Sequence, residues 1–358
     1  MKKSLISASV ATLLTAASFG AMADGPNFYG RLDLMVTNSD GGYTVQSSTN
    51  NIDFGQNGTY LENNFSWLGV KGTEKVADGL EVVYQMEYGV ENTSSRGNQF
   101  TSRNTYLGFK TVAGTALFGR NDTVFKQSEG GIDLFGNSNA DMDRILPAQT
   151  RSADVASYYS PKIAGLFTVN ATYLFDDNND TVDKGDGGSQ YAVSAVFGDK
   201  ALKQEVFYAA VAYNKGIDGV DAYRAVGQVK LADFKVGALY QNNENTVNSD
   251  IDGNTYLLNV SYNLNGVNLK AEYIYDDGGF GQYFRYASGD NNLKSANANV
   301  NIDDVSVTNI IVGADYRVAK STLLYGHYAH YEGDYKLSGD KIDLDDDNVF
   351  SVGVRYDF

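Results

Sequence analysis

Asn348-Val349-Phe350-Ser351-Val352-Gly353-Val354-Arg355-Tyr356-Asp357-Phe358 is the stretch that decides the fold. From Phe350 onward every second residue is large and apolar (Phe350, Val352, Val354, Tyr356, Phe358), and Ser351, Gly353, Arg355 and Asp357 lie between them. Side chains of a strand point alternately to opposite faces, so this segment has one oily face and one polar face. Such a strand left bare at a sheet edge would pair with a neighbouring molecule. A closed membrane barrel removes the edge and uses both faces, with lipid outside and water inside. The expectation is an all-β protein: a transmembrane antiparallel β-barrel.

The rest of the chain fits that reading. Lys2 and Lys3, the small and apolar run 5–19, and Ala21-Met22-Ala23 read as a cleavable secretory signal over residues 1–23, leaving one barrel domain over 24–358. The run is too short, and too interrupted by Ser and Thr, for a spanning helix. The chain has 26 Tyr, 18 Phe and only 3 Pro, a strand-forming composition, and its 38 Gly suit tight turns. With no Cys there is neither a disulfide framework nor thiol chemistry. The formal charge is −16, or −18 without Lys2 and Lys3, which argues against nucleic acid as a partner.

Short turn signals recur at 74–79, 110–114, 160–165, 198–203, 231–234, 264–267 and 318–321. Longer segments rich in Asp, Asn, Gly and Ser alternate with them, at 38–60, 89–100, 121–150, 176–190, 214–221, 241–253, 276–304 and 332–347. Seven turns and eight loops make fifteen connections and therefore sixteen strands, with short periplasmic turns, long extracellular loops and both termini on the short-turn side. Phe28, Leu32, Leu34 and Val36 oppose Arg31 and Asp33, and Leu80, Val82, Tyr84, Met86 and Tyr88 oppose Glu81, Gln85 and Glu87. In 103–110 the pattern is ambiguous, because Leu107 and Phe109 share the parity of Arg103. Alternation alone would also fit a soluble sandwich; the signal segment, strand count and aromatic end favour the barrel. At sixteen strands the lumen holds an aqueous channel, and function depends on what narrows it.

Several segments resemble the trimeric general-diffusion porins of Gram-negative outer membranes. They are Phe28-Tyr29-Gly30-Arg31-Leu32-Asp33, then Leu68-Gly69-Val70-Lys71-Gly72-Thr73-Glu74 with Gly79-Leu80, and Phe118-Gly119-Arg120 ahead of the loop 121–150. Arg151, Val155, Ala156 and Tyr158 follow that loop, and Gly313-Ala314-Asp315-Tyr316-Arg317 with Ser321-Thr322-Leu323-Leu324-Tyr325 resembles the penultimate hairpin. The resemblance covers essentially all of 24–358. It implies a homotrimer in outer-membrane lipid and lipopolysaccharide, a C-terminal Phe358 read by the barrel-insertion machinery, and a third loop folded into the lumen. The loop's own Ile132, Leu134, Phe135, Ile145 and Leu146 favour burial.

In that family wall cations face acids on the third loop. Carried over, the basic positions are Arg31, Arg103 and Arg151, with Arg120 as a further neighbour. Arg31 also points inward by parity, and facing lipid it would cost about 2–4 kcal/mol. Asp133 leads the acidic candidates, followed by Glu129, Asp141 and Asp143. Trp67 stands where the family usually has an Arg, and Asp133-Leu134-Phe135-Gly136 replaces Pro-Glu-Phe-Gly-Gly. The expected function is passive diffusion of ions and small hydrophilic solutes, with cations preferred.

Other readings start from single features. Trp67, the one Trp, is either a sugar-stacking platform, which would mean a saccharide-preferring channel, or a wall or girdle residue. Asp343, Asp345, Asp346 and Asp347 lack a complete calcium-loop pattern and read as a solvated acidic loop. His327 and His330, three apart on a strand, face opposite ways and make a poor metal pair, so no metal or cofactor is expected. A barrel enzyme with a Ser-His-Asp arrangement, or an adhesin working through its acidic loops, are the alternatives from other classes.

Overall fold

The computed structural model describes residues 25–46, 55–93, 98–175, 188–289 and 301–358. The expected signal segment lies outside the described residues. Among those described, eighteen strand segments form a single antiparallel sheet that closes on itself, Asn27–Ser39 pairing with Asp347–Asp357. Gly58–Asn63 and Trp67–Ala77 both pair with Asn27–Ser39, and Asp340–Asp343 and Asp347–Asp357 both pair with Thr322–Leu337. Each of those pairs of segments is one stave, which leaves the expected sixteen.

Turns and outer face follow the alternation. Strands meet across two-residue turns at 78–79, 112–113, 232–233, 265–266 and 320–321. Phe28, Val352 and Phe358 point outward and are 68%, 71% and 61% exposed, whereas Asp33, Thr37 and Ser351 point inward and are buried. At the closing seam Leu34 pairs with Val354 and Val36 with Val352, so the oily faces of the first and last strands join into one lipid-facing surface.

The ambiguity in 103–110 is settled by a bulge. Met86 pairs with Thr105 but Tyr88 pairs with Ser102, so Arg103 and Asn104 together oppose Glu87. One extra residue resets the parity of the strand. Leu107 and Phe109 therefore face outward while Arg103 turns inward onto Glu87, its Nε donating to Oε1 at 2.6 Å.

Two expected loops are corrected. The segment 332–347 is mostly hairpin: Thr322–Leu337 continues through it and pairs with Asp340–Asp343 across Ser338-Gly339, both at positive φ. One face of this pair carries Asp334, Lys336, Lys341 and Asp343 and the other Tyr335, Leu337 and Ile342, but the many acids and Gly give the segment a loop-like composition although its backbone is paired. The segment 276–304 carries a helix, Gln282–Ser288, whose Tyr283 and Phe284 are buried.

The apolar core is not a property of the sheet alone. Ile132, Met142, Ile145 and Leu146 of the third loop cluster with wall residues Leu239, Leu257, Ile274 and Ile311, and with Tyr283 and Phe284 of that helix.

Gly30 shows how tightly the seam closes. Its backbone exchanges hydrogen bonds with Phe358 (2.9 and 3.0 Å), and a Cβ there would lie 2.3 Å from Phe358 Cζ. Gly30→Val is expected to displace the ring and destabilise the barrel by about 1–3 kcal/mol. A lowered midpoint of the heat-induced mobility shift on gels would report it; an unchanged midpoint would refute the tight closure.

Candidate pore constriction

The third loop begins with Thr123, whose side chain caps Val124–Gln127, and ends as the strand Arg151–Tyr159 starts. Inward side chains of distant strands bind its backbone. Tyr208 Oη donates to Ser128 O at 2.9 Å, Gln228 Nε2 to Gly131 O at 3.0 Å, Gln241 Nε2 to Pro147 O at 3.2 Å and Lys270 Nζ to Leu134 O at 2.8 Å. Asn259 donates to Ile132 O. At the loop's far side Asn139 Nδ2 reaches Glu62 Oε2 (2.7 Å) and Thr37 Oγ1 (3.0 Å), and its Oδ1 lies 2.7 Å from His327 Nε2. Partners on the first strand, on Gly58–Asn63 and on strands from Phe207–Lys215 to Thr322–Leu337 hold the loop against one side of the inner wall, and the carbonyls they reach are satisfied there rather than by water.

Glycines on the wall make room for it. A Cβ on Gly237 would lie 2.3 Å from Ile132 Cδ1, and one on Gly313 2.8 Å from Phe135 Cε1. These sockets are invisible in the alternation pattern, and Gly inside a strand is their only sequence signal.

Between the loop and the free part of the wall lies a water-accessible cavity of about 500 Å³. Glu129, Asp133 and Asp141 line it from the loop; Asp33, Trp67, Arg103, Asp122 and Arg151 line it from the wall. Asp133 accepts from the backbone N–H groups of Phe135 and Met142, and Asp141 from those of Asn137 and Asp143. Glu129 accepts from Gln149 at 2.6 Å. These hydrogen bonds fix the carboxylates without neutralising them. Burial, then Asp141 and Glu272, push the Asp133 carboxyl well above the usual range, and burial raises Glu129 too.

The wall cations are neutralised locally. Arg103 pairs with Glu87 (2.6 Å), Arg151 with Asp122 (3.0 Å) and Lys270 with Asp315 (2.5 Å). Arg31 and Arg355 share Asp357, at 2.7 and 3.2 Å. Lys270, Arg355, Asp33 and Tyr325 also line the cavity and were not picked out by sequence reasoning. The signal was present for Arg355, which sits on the polar face of the last strand beside Asp357.

The other expected site residues divide. Trp67 faces inward, paired in register with Arg31, and lies between two guanidiniums, Arg31 at 4.1 Å and Arg103 at 4.7 Å from its ring. The ring stands where the basic ladder would otherwise continue, and the girdle reading is corrected. Arg31 reaches the site through Trp67 and Asp357 and does not itself line the cavity. Arg120 does not line it either. Asp143 faces a different cavity, beside Arg144.

The acidic tail of the last hairpin has a structural task. Asp347 accepts from Ser39, Gly41, Tyr43 and Thr44, pinning the start of the first long connection. Ser351 opposite His327 and Asn348 opposite His330 face different sides of the sheet, and among the described residues no cluster of His, Cys, Asp or Glu is arranged to hold a metal ion.

A sixteen-stave barrel with an inward loop and a charged gap is a channel architecture, and comparison with known proteins agrees. The family model described as Gram-negative porin matches residues 8–336. The chain belongs to the Gram-negative porin family. This porin is similar to an outer membrane porin protein of Bordetella pertussis, 26% identical across 100% of this chain and 91% of the relative. It is also similar to major outer membrane protein P.IB of Neisseria lactamica, 24% identical across 90% of this chain and 91% of the relative. Among solved structures its fold matches an anion-selective porin from Comamonas acidovorans with a TM-score of 0.69, at 19% identity, covering 94% of this chain and 100% of that one. It also matches the trimer form of OmpT of Vibrio cholerae with a TM-score of 0.64, at 17% identity, covering 93% and 99%.

Proposed function

We propose that this porin is a passive outer-membrane channel for ions and small hydrophilic solutes, with a modest preference for cations. One observation carries the preference. On the wall, Arg31, Arg103, Arg151, Lys270 and Arg355 are five cations balanced by five carboxylates, Asp33, Glu87, Asp122, Asp315 and Asp357. The loop adds Lys126 against Glu129, Asp133 and Asp141, a net of −2 when all three are ionised. The sign of the gap is therefore the sign of the loop. The Comamonas acidovorans porin, alike in fold, is anion-selective by name, so the proposed sign rests on this chain's own charges. A reversal potential of cation-selective sign in a planar bilayer under a salt gradient is the expected result; the anion-selective sign would refute the proposal.

The raised carboxyls of Glu129 and Asp133 predict a pH dependence. A carboxyl with a raised pKa takes up its proton at a higher pH, so its negative charge disappears while ordinary carboxylates remain ionised. As pH falls from 8 towards 4, cation preference is expected to weaken above the range near 4 where free Asp and Glu titrate. A reversal potential that stays flat down to pH 4.5 would contradict this.

Homotrimeric assembly in lipopolysaccharide-containing outer membrane, and insertion through recognition of Phe358, complete the proposed picture; a trimer form is known for the OmpT relative. Trp67 is flanked by two guanidiniums, which leaves it poorly placed as a bare platform for sugars. The matching family model is described as Gram-negative porin and the Bordetella pertussis relative is named a porin, which favours the channel over the enzyme or adhesin readings.

A further inference from the structure

A second cavity, of about 190 Å³, lies on the long-loop side of the third loop, between Met142–Arg144 and the helix Gln282–Ser288. It is smaller than the roughly 300–1,000 Å³ sites that enclose drug-sized ligands. Three polar atoms on its lining residues are buried without a hydrogen-bond partner: Asp143 Oδ1, Arg144 Nε and Arg285 Nε. Buried polar atoms are normally satisfied, and three of them around one small cavity need an explanation.

The three atoms are of both signs. Arg144 is 8% exposed, its Nη1 donates to Gln282, and its Nε stands 3.7 Å from Asp143 Oδ1, too far for a hydrogen bond. Among the described residues the Arg285 guanidinium makes no hydrogen bond and no ion pair; it stands 5.9 Å from the Tyr286 ring and shares the cavity lining with Asp218, whose charge acts on it from beyond ion-pair distance. Gln282 is held by Arg144 and by Tyr43 O (3.1 Å), so the rim is fixed rather than free to collapse.

We propose that this cavity binds a small zwitterion of the α-amino carboxylate class, its carboxylate between Arg144 and Arg285 and its ammonium on Asp143. A guanidinium presents paired N–H donors that match a carboxylate. An α-amino acid carries its two charged groups on one carbon, so it can sit astride an acid and a guanidinium that stand a few ångströms apart. A simple anion would meet the charges of Asp143 and of Asp218, which also lines the cavity, and a simple cation would meet two guanidiniums. The proposal rests on the channel reading for the solute's route, but the binding itself does not depend on it.

The test is saturation-transfer NMR titration of the whole protein in detergent micelles with L-alanine, propionate and ethylammonium. Alanine is expected to saturate, with propionate and ethylammonium each weaker by roughly tenfold or more. Arg285→Gln and Asp143→Asn should each weaken alanine by a similar factor, and Arg285→Lys by less. Single-channel conductance of Arg285→Gln in KCl, expected to equal that of the parent, confirms that the variant folds. Propionate binding as well as alanine, no saturable alanine binding, or equal binding by the variants would each overturn the proposal. Loss of conductance in the parent protein would instead sink the channel reading and leave the binding result standing.

Discussion

Replacing Glu129→Gln, Asp133→Asn and Asp141→Asn together is expected to turn the reversal potential from the cation-selective to the anion-selective sign. The wall's five cations are matched in number by five carboxylates, four of them in ion pairs and Asp33 beside them, so removing the loop's three acids leaves Lys126 as the unmatched charge in the gap. A unit charge about 5 Å from a passing ion, at water-like screening, is worth roughly 0.8 kcal/mol, about fourfold in partitioning, and acts oppositely on the two ion signs. Asp133 contributes less than the other two at neutral pH, because its carboxyl is held well above the usual range by burial and by Asp141 and Glu272. The double variant lacking only the Glu129 and Asp141 charges should therefore already cover most of the change. The effect should shrink as salt is raised towards 1 M, where the screening length is about 3 Å. The reverse substitution on the wall, Arg103→Gln, should strengthen cation preference by releasing Glu87 from its pair. An unchanged reversal potential in the triple variant would show that the loop does not set the sign.

Ile132→Asp is expected to release the third loop from the wall and to raise both single-channel conductance and the size limit for neutral solutes. Ile132 is fully buried among Leu239, Leu257 and Ile274, in the socket that Gly237 leaves open. Truncating such a side chain costs about 2–5 kcal/mol, and an unpaired carboxylate in its place costs more. The barrel ladder does not pass through the loop, so the cost falls on the loop's seat and the staves stay paired. Gly237→Val attacks the same seat from the other side and should give the same enlarged pore, because its Cβ would lie in the space of Ile132 Cδ1. Graded polyethylene glycols in the bilayer recording measure the size limit. Unchanged conductance with a normally folded barrel would mean that the loop is held by its backbone hydrogen bonds from Gln228, Gln241 and Lys270 alone.

The sequence placed some residues of the gap and misplaced others for identifiable reasons. Arg31, which stands behind the gap on Trp67 and Asp357, was legible as an inward residue because its parity opposes Leu32 and Leu34, and a charge on the lipid face is too costly to keep. Arg103 was not legible by parity, since the bulge opposite Glu87 inserts one residue that no local pattern announces. Asp143 and Asp141 are two residues apart, yet the short helical turn at Met142–Arg144 sends them to different cavities. The segment 332–347 reads as loop because its acids and Gly outnumber Tyr335, Leu337 and Ile342, the few apolar residues that mark the inner contrast of a strand.

What the sequence determined by itself is the closed sheet: its sixteen staves, its oily exterior and the side of the wall on which Arg31, Asp33, Arg355 and Asp357 stand. A strand between lipid and water must alternate, and alternation is local, so it can be read from neighbours alone. What only the tertiary structure decided is which charges cancel and which remain. Arg31 meets Asp357 across 326 residues, and Asn139 meets Thr37 and Glu62 from the far side of the lumen. Every inward polar residue satisfies the same local pattern, and only closure of the barrel and the seating of the loop select its partner.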